Sequence, residues 1–435
     1  MSLIRQVILV AVTAIFVSIL PSHFKTSYPV PEIFGTVAPG FEDVREVFRE
    51  NFELGWDKNE GGSAFAVYYK GEKVVDIWAG FADQEAKMLW KENTMSVLYS
   101  TTKGLCALCI AILADRELID FKKPVSDYWP EFAQNGKEKV TVEMLMEHEA
   151  GLPILSQPMT FDLVQDHDAL DKVLAETKPL WEPGTAHGYH TISIGFYVDA
   201  LVRRVDSEGR TVGKFFSDEV AKPFGIDAFI GTPREEMLRV GRLVYVQPST
   251  FDIIHGLLTS SVYRSMFYGY IMGGAKLFVG TVSNCGQVCE IERRMDPEVN
   301  QIVIPSICGV ATARGIAKLF GILANGGKLG NKTLLSQRII MDYVNDKRER
   351  TGDLVLFGLP VKWKYGMDII PQPGNAGNLF GSSGAGGQIG YSDVDNKIGY
   401  GFVTRYSAVL GIQFYDSRIA RLQESVLRVV TKVEK

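Results

Sequence analysis

Residues 104–114 (GLCALCIAILA) form an apolar run without a single charge, flanked by Lys103 and Asp115. The run is too short to cross a bilayer as a helix. Because its residues are apolar on every side, such a helix must be covered on every side by other elements. A chain of 435 residues is long enough to supply that cover. The sequence therefore predicts one large domain, or two closely packed ones, around a central buried helix.

Alternating segments predict a hairpin near each end of the chain. The four predicted strands are Ser63–Tyr69 with Val74–Ala79, and Gln388–Tyr391 with Ile398–Arg405. Apolar residues at helical spacing predict three helices, near 41–52, 311–325 and 416–431. We expect these strands and helices to pack on each other as a sandwich of sheet and helices.

The sequence between the two ends is irregular, with loops and helical pieces from about 120 to 300. We therefore predict an α/β (α+β) fold at 41–430, with its sheet part roughly at 41–115 and 300–430 and a helical insertion at 116–299. Residues 251–280 are aromatic and glycine-rich with only two basic residues, Arg264 and Lys276. Two interpretations are open for them, a lid or hydrophobic wall and an ordinary buried loop.

The charge balance, the histidines and the cysteines argue against a nucleic-acid-binding protein, a metal site and a disulfide scaffold. Lys plus Arg number 46 against 51 Asp plus Glu, so no basic excess exists to neutralise nucleic acid. His187 and His190 lie close in sequence, but no third ligand is near and no metal site is predicted. The five cysteines form no disulfide scaffold. Cys285 and Cys289 are either a local disulfide, if the compartment is oxidising, or free thiols.

The N-terminus carries a targeting pattern. Arg5 precedes fourteen mostly apolar residues, Val7–Leu20, which suits a signal peptide or membrane anchor at 1–20 better than a full span. A Pro-rich segment at 21–40 predicts a linker. We expect the secretory pathway, secreted or anchored through the N-terminus; mitochondrial import and an ordinary buried helix are the alternatives. The sequon at Asn331 supports a lumenal location weakly.

Ser100 and Lys103 stand at the start of the buried helix, one turn apart on one face. The backbone N–H of Ser100 is free of helical partners there, so it can act as an oxyanion donor. The helix dipole and the apolar surroundings disfavour an ammonium, so Lys103 can be neutral and accept the serine proton. This is the logic of S-x-x-K hydrolases. The alternative interpretation is a helix cap followed by a solvated lysine.

Two further segments can complete such a site. Tyr189 lies on a Gly-bounded loop and can exchange a proton with a neighbouring lysine, although a surface tyrosine is the alternative. The glycines of FGSSGAGG at residues 380–387 let a strand approach a ligand closely and offer an oxyanion N–H. Neither a phosphate-binding loop nor a G-x-S-x-G elbow is present.

In this order, these segments resemble the serine β-lactamase-like family, from about residue 41 to 430. The family includes class C β-lactamases, D-alanyl-D-alanine carboxypeptidases, family VIII carboxylesterases and animal β-lactamase-domain proteins. The matching segments are Ser100–Lys103, EMLMEHEAGLP at 143–153, WEPGTAHGYH at 181–190, PSICGVATARGIAKLFGILANGG at 305–327 and FGSSGAGGQ at 380–388. The Tyr-His-Thr form and the Gly-Ala-Gly-Gly-Gln tail are closest to the esterase-like and animal branch.

The resemblance implies a role for each matched residue. Ser100 is the nucleophile, Lys103 its base, and Tyr189 the general base that activates the deacylating water. The N–H groups of Ser100 and Ala385 form the oxyanion hole, and Gly384 belongs to the third motif. The implied fold is an antiparallel sheet flanked by helices with an all-helical domain, with the site between them. No cofactor is implied.

Two residues depart from the family pattern. Thr191 stands where β-lactamases have Asn, and Ser382 stands where the third motif has Lys or His. Both changes remove groups that hold a β-lactam, so we expect a serine hydrolase acting on esters or small amides rather than a true β-lactamase. The partner is then a small-molecule acyl substrate. The alternative is a catalytically weak or inactive protein with a binding or structural role; the oligomeric state is not indicated.

Overall fold

The computed structural model describes residues 30–57, 61–245, 257–258, 261–271, 275–290, 292–349, 351–371, 377–407 and 416–433. Within these ranges nine strands form one antiparallel sheet. In chain order they are β1 (Ile33–Val37), β2 (Gly62–Tyr69), β3 (Glu72–Asp83), β4 (Met88–Leu89), β5 (Trp363–Lys364), β6 (Met367–Pro371), β7 (Asn378–Gly384), β8 (Gln388–Asp393) and β9 (Ile398–Thr404). The spatial order is β1-β3-β2-β9-β8-β7-β6-β5, with β4 beside β3.

Both predicted hairpins are confirmed and meet at the centre of this sheet. The turn between β2 and β3 places Lys70 and Gly71 in the left-handed region, which matches the twist of a tight hairpin. The hairpin of β8 and β9 then pairs with the first one through β9 and β2, in a register that sets Gly401 opposite Ala66. The sheet therefore joins the two ends of the chain.

Four helices, α1 (Glu42–Glu53), α2 (Thr101–Asp115), α3 (Ala313–Ala324) and α4 (Ser417–Val433), pack against the sheet. Side chains alternate between the two faces of a strand. Phe65 of β2 accordingly packs with α1 and α4, whereas Ala66 packs with α2 and α3. These layers confirm the predicted α/β fold.

The central helix α2 is buried along its length. Its residues from Thr101 to Ala114 are all buried. It packs between strands β6–β8 of the sheet and the helix Ser193–Val205. The uncharged run therefore occupies the boundary between the sheet part and the helical part, as a helix covered on all sides must.

The helical part is not wholly helical, which corrects the expectation of an all-helical domain. Ala228–Ile230 pairs with Gly309–Ala311, which also pairs with Ser96–Val97. Strands of two or three residues have too little length to show a period in the sequence. The helices of this part are Val142–Met146, Phe161–Gln165, His167–Glu176, Ser193–Val205, Val212–Phe216, Lys222–Phe224, Ser261–Gly269, Ala275–Asn284 and Pro297–Gln301.

A few short elements complete the described residues. Helix Gln337–Val344 follows α3. The remaining strand pairs are Lys328–Leu329 with Lys332–Thr333, Thr351–Gly352 with Pro360–Val361, and Val244–Tyr245 with Tyr406–Ser407.

The predicted linker at 21–40 is wrong in its second half. β1 (Ile33–Val37) pairs with β3 along its whole length and forms an edge of the sheet. Prolines flank this strand rather than interrupt it, and an edge position tolerates them. The predicted targeting segment at 1–20 lies outside the described residues. No helix of the described residues is both long and apolar enough to span a membrane.

Two open alternatives are also decided by the structure. Cys285 and Cys289 are joined by a disulfide. The described part of 251–280 is helical, and Tyr268 and Ile271 are 66% and 63% exposed. The interpretation as an ordinary buried loop is therefore wrong for these residues.

Candidate active site

Ser100 lies at the N-terminus of α2, directly after a residue in an unusual conformation. Tyr99 has a φ of 47°, in the left-handed region that aromatic residues rarely adopt. The N–H groups of Thr101 and Thr102 bond back to the carbonyls of Leu98 and Tyr99, which closes the first turn. This bend from strand into helix presents the Ser100 side chain at the helix start, and such strain is commonly found at functional sites.

Lys103 lies one turn further along α2. Its Nζ is 3.1 Å from the Ser100 Oγ and 3.1 Å from the carbonyl oxygen of Ser306. The amine is buried, and burial lowers its pKa to about 7. A large fraction of Lys103 is therefore neutral near neutral pH, with a lone pair beside the Ser100 hydroxyl.

Tyr189 completes this cluster from the loop before helix Ser193–Val205. Its side chain hydrogen-bonds with Ser100, and its ring centroid is 5.0 Å from the Lys103 Nζ. Burial raises the pKa of Tyr189, so the phenol stays protonated. Thr191 donates its N–H and its hydroxyl to the Tyr189 carbonyl, at 2.8 and 3.3 Å, and so shapes this loop. The structure thus brings Ser100, Lys103 and Tyr189 together.

Two aromatic rings hold the Tyr189 side chain in place, and the sequence analysis assigned neither to the site. Trp363 stacks on Tyr189, with ring centroids 5.6 Å apart and planes 7° from parallel. His148 contacts Tyr189 edge-on at 5.1 Å. Its Nδ1 accepts the His190 N–H, and burial lowers its pKa well below the usual range, so it is neutral. The matched segment at 143–153 contained His148, whereas no pattern in the sequence indicated Trp363.

A partly buried carboxylate, Asp368 on β6, was also missed. It accepts hydrogen bonds at 3.0 Å from the Trp363 indole, from the Tyr391 hydroxyl and from the Ser383 N–H. Burial raises its pKa, while these donors oppose that change. Asp368 therefore links the ring that stacks on Tyr189 to the strand that carries the third motif.

The third motif lies against the start of α2. Ser382 is buried and donates its hydroxyl to the Ser100 carbonyl at 3.2 Å. A Cβ on Gly384 would lie 2.2 Å from the Leu98 carbonyl oxygen, so only glycine lets the end of β7 come this close. Ala385 follows immediately. The two backbones expected to form an oxyanion hole, those of Ser100 and Ala385, therefore belong to elements in direct contact.

A buried arginine on α4 supports the turn that contains Ala385. Arg418 donates to the Gly386 carbonyl at 2.7 Å. Its remaining donors reach Asp57 at 2.7 Å and Asp416 at 2.5 Å. Because the guanidinium is paired with both carboxylates and hydrogen-bonded away from water, the geometry of this turn is firmly fixed.

The two histidines considered as metal ligands have other partners. His187 contacts Asp353 through Nδ1 at 3.0 Å and Thr351 through Nε2 at 2.6 Å. His190 accepts the Leu152 N–H through Nε2, so its Nδ1 donates to the Gly188 carbonyl. Both therefore fix the loop of Tyr189. Among the residues that the structure describes, no three His, Cys, Asp or Glu side chains are grouped to hold a metal.

Ser382→His should shift specificity toward substrates with a free carboxylate. A histidine at this position offers a ring N–H, and a charge when it is protonated, to a substrate carboxylate. A charge-assisted hydrogen bond of this kind is worth roughly one to two decades in kcat/KM. The measurement is the ratio of kcat/KM for nitrocefin to kcat/KM for a neutral short-chain ester. Ser382→Asn has similar bulk and no charge, and it should leave the ratio near that of wild type. Equal ratios in all three proteins would show that residue 382 does not face the substrate.

The chain is similar to several known proteins. The family model described as Beta-lactamase matches residues 48–421. The chain is 32% identical to "Esterase/beta-lactamase LipL" of Mycobacterium tuberculosis over 85% of its own length and 82% of that protein. It covers the whole of a family VIII carboxylesterase structure, with 33% identity, a TM-score of 0.74 and 92% of its own residues aligned.

A second solved structure, a penicillin-binding protein homologue from Caulobacter crescentus, is 31% identical with the same TM-score of 0.74. It aligns over its full length with 92% of this chain. The family model alone spans most of the 435 residues, from α1 to α4. By sequence, fold and the arrangement around Ser100, the chain belongs to the beta-lactamase family.

Proposed function

We propose that the protein is a serine hydrolase that cleaves an ester or small amide through an acyl-enzyme on Ser100. The observation that carries this proposal is the contact of the Ser100 hydroxyl with a buried amine whose pKa is about 7 and with the hydroxyl of Tyr189. An activated nucleophile needs such a neighbouring base. Relatives named as esterases support the choice of reaction.

Acylation follows from these positions. The Ser100 Oγ attacks the substrate carbonyl carbon while neutral Lys103 takes the hydroxyl proton. The N–H groups of Ser100 and Ala385 stabilise the oxyanion. As the bond to the leaving group breaks, Tyr189 donates its proton to the departing oxygen or nitrogen, and Lys103 returns a proton to the phenol. Because the phenol is protonated in the free enzyme, Tyr189 acts first as a donor.

Deacylation reverses these roles. Water attacks the acyl carbon, and its proton passes through the Tyr189 oxygen toward Lys103. The oxyanion collapses, the bond to Ser100 Oγ breaks, and the serine is reprotonated as the acid leaves. The residues required are those of acylation, so no further group needs to be present.

The substrate should be uncharged near the scissile bond. Ser382 offers a hydroxyl where the family has a cation, and that hydroxyl is engaged with the Ser100 carbonyl. On the adjacent strand β6 the ionisable group that contacts the third motif is a carboxyl, Asp368. Strands β6 and β7 therefore offer no cation to a substrate carboxylate, which favours neutral esters and small amides over penicillins.

A fluorophosphonate probe tests the proposal. Attack by Ser100 forms an O–P bond and releases fluoride, so wild type should carry one adduct on the peptide containing Ser100. Ser100→Ala should carry none and should melt at nearly the same temperature as wild type. An unaltered adduct in Ser100→Ala would contradict the assignment of the nucleophile. No adduct and no ester turnover in folded wild type would favour the binding-protein alternative.

With a p-nitrophenyl ester, whose phenolate leaves without a proton, Tyr189→Phe should slow deacylation more than acylation. The phenol carries the proton of the attacking water, so its loss should lower turnover by about a hundredfold and let the acyl-enzyme accumulate. Mass spectrometry of the intact protein after a brief pulse of substrate measures that accumulation. Trp363→Phe keeps a ring against residue 189 and serves as the control, with no accumulation expected. Equal slowing of both steps in Tyr189→Phe would assign the side chain a packing role.

We also propose a secretory route for the chain, through residues 1–20. The disulfide of Cys285 and Cys289 supports an oxidising compartment. Asn331 is exposed in the turn between two short strands, where a glycan fits. Treatment with an N-glycosidase should shift the mass of wild type and leave Asn331→Gln unchanged. An unglycosylated cytosolic or mitochondrial pool would contradict the proposal.

A further inference from the structure

Two helices beside the site expose large apolar side chains to solvent. They are Ser261–Gly269 and Ala275–Asn284. Five side chains on them or next to them are each at least half exposed, and we call these five the apolar patch: Phe267, Tyr268, Tyr270, Ile271 and Val279. Large contiguous exposure of this kind marks an interaction surface.

The outward side chains of the first helix share one face. Arg264, Phe267, Tyr268 and Ile271 follow the spacing i, i+3, i+4, i+7, which places them along one side. The inward side is already used, because Met266 packs against a cluster that includes Trp363. Helix Ser261–Gly269 therefore has apolar side chains on its inner and its outer face. Nothing in the described part of the chain covers the outer face.

The charge of this region indicates the chemistry of its partner. Between Asp252 and Glu290 the sequence contains no Asp or Glu, although the whole chain has a net charge of -5. The charged residues of that stretch are Arg264 and Lys276, and both are exposed. Aromatic and aliphatic side chains with a few cations and no anions are typical of surfaces that enter the interface of an anionic bilayer. Self-association would instead bring like charges together.

The patch shares a wall with the site. Met266 and Tyr189 both pack against the cluster of Leu356, Leu359 and Trp363. Phe278 and Tyr270 contact Phe357 in the same loop. A bilayer seated on the patch would therefore lie close to the tyrosine that contacts Ser100.

We propose that the apolar patch docks the protein on an anionic lipid bilayer and that the site takes esters carried by that bilayer. The second half rests on the proposed hydrolase function, whereas docking does not. Substrates of this class have long acyl chains that stay in the lipid while the ester bond enters the site. This agrees with a third motif in which Ser382 offers no cation to a free carboxylate.

A local fluorescent reporter tests the docking. The three free cysteines are buried, so Phe267→Cys can be labelled selectively with the environment-sensitive dye NBD. Leu238→Cys is the matched control, since Leu238 is 88% exposed in a short segment that also contains Glu235 and Glu236. Vesicles of phosphatidylcholine with phosphatidylglycerol should brighten the dye and shift its emission to the blue at 267 but not at 238. Both labelled variants contain residues 1–20, so membrane binding by that segment would not produce a difference between the dyes at 267 and 238.

A pair of variants tests the substrate class. Phe267→Ser with Ile271→Ser should lower hydrolysis of a long-chain ester in phosphatidylglycerol vesicles by about tenfold or more, because two apolar anchors are lost. Hydrolysis of a soluble short-chain ester should be unchanged, and Leu238→Ser should resemble wild type in both assays. Equal loss on both substrates would overturn the proposed substrate class.

Each of the remaining outcomes of these experiments leads to a different conclusion. No response of the dye at 267 to any vesicle overturns docking, and so does an equal response at 238. A response that depends on protein concentration without vesicles, together with a dimer in light scattering, shows that the patch joins two copies and overturns the proposal. Docking by a protein that hydrolyses no ester supports the surface and contradicts the hydrolase function alone.

Discussion

Lys103→Arg is expected to lower kcat/KM for a neutral short-chain ester by roughly 10²–10⁴, the contribution of a positioned general base. Arginine keeps the positive charge and has similar length, but its guanidinium does not lose a proton at accessible pH. Burial gives Lys103 a pKa of about 7, so the wild-type amine can accept the Ser100 proton near neutrality. The decrease in kcat/KM therefore measures the contribution of Lys103 as a base.

Two measurements separate this role from packing. In wild type, kcat/KM should fall as the pH drops below about 7, because the amine becomes protonated and loses its lone pair. Lys318→Arg is the matched control, since Lys318 is a partly buried lysine on α3 that donates to the Gly225 carbonyl away from Ser100. It should keep wild-type activity. A Lys103→Arg enzyme with a tenth of wild-type activity would assign Lys103 a structural role.

Gly384→Ala is expected to lower kcat/KM by roughly 10²–10³, the range found when one oxyanion donor is removed. The added Cβ would lie 2.2 Å from the Leu98 carbonyl oxygen, so β7 must move away from the start of α2. That movement separates the N–H of Ala385 from the N–H of Ser100. The oxyanion then loses one of its two donors although every catalytic side chain is still present.

The control for this prediction is Gly136→Ala. Gly136 has a positive φ of 84°, whereas Gly384 is extended, and a Cβ at position 136 would meet no atom within 4 Å. Gly136→Ala should therefore cost stability through backbone strain alone and leave kcat/KM unchanged. Reaction with the fluorophosphonate probe should slow in Gly384→Ala alone, since phosphonylation uses the same donors. Wild-type kcat/KM in Gly384→Ala would place the oxyanion hole elsewhere.

Local patterns in the sequence were sufficient to predict the helix and the hairpins that carry the site. The uncharged run predicted α2, and alternation predicted the two hairpins, because each signal depends on neighbouring residues. Ser100, Lys103 and Tyr189 could be named as candidates because they lie in ordered segments that resemble a known family. Their meeting in one cluster follows from the packing of α2 against the Tyr189 loop.

The supporting residues were not predictable in this way. Asp368 acts through Trp363 and Ser383, and Arg418 acts through Asp57 and Gly386, all of them contacts between distant segments. A lone Asp on a strand or a lone Arg on a helix has no local pattern that distinguishes it from a surface charge. β1 was missed for a related reason, since five residues between prolines show too little alternation.

The pairing of β2 with β9 has a consequence for synthesis of the chain. Ser100 leaves the ribosome within the first quarter of the sequence, but Ala385, directly after β7, and the supporting Arg418 on α4 emerge near the end. Contacts so far apart in sequence form late and slowly. In the nascent chain Ser100 therefore lacks these partners until translation is nearly complete. We expect hydrolytic activity to begin only after the C-terminal helix α4 has packed against the sheet.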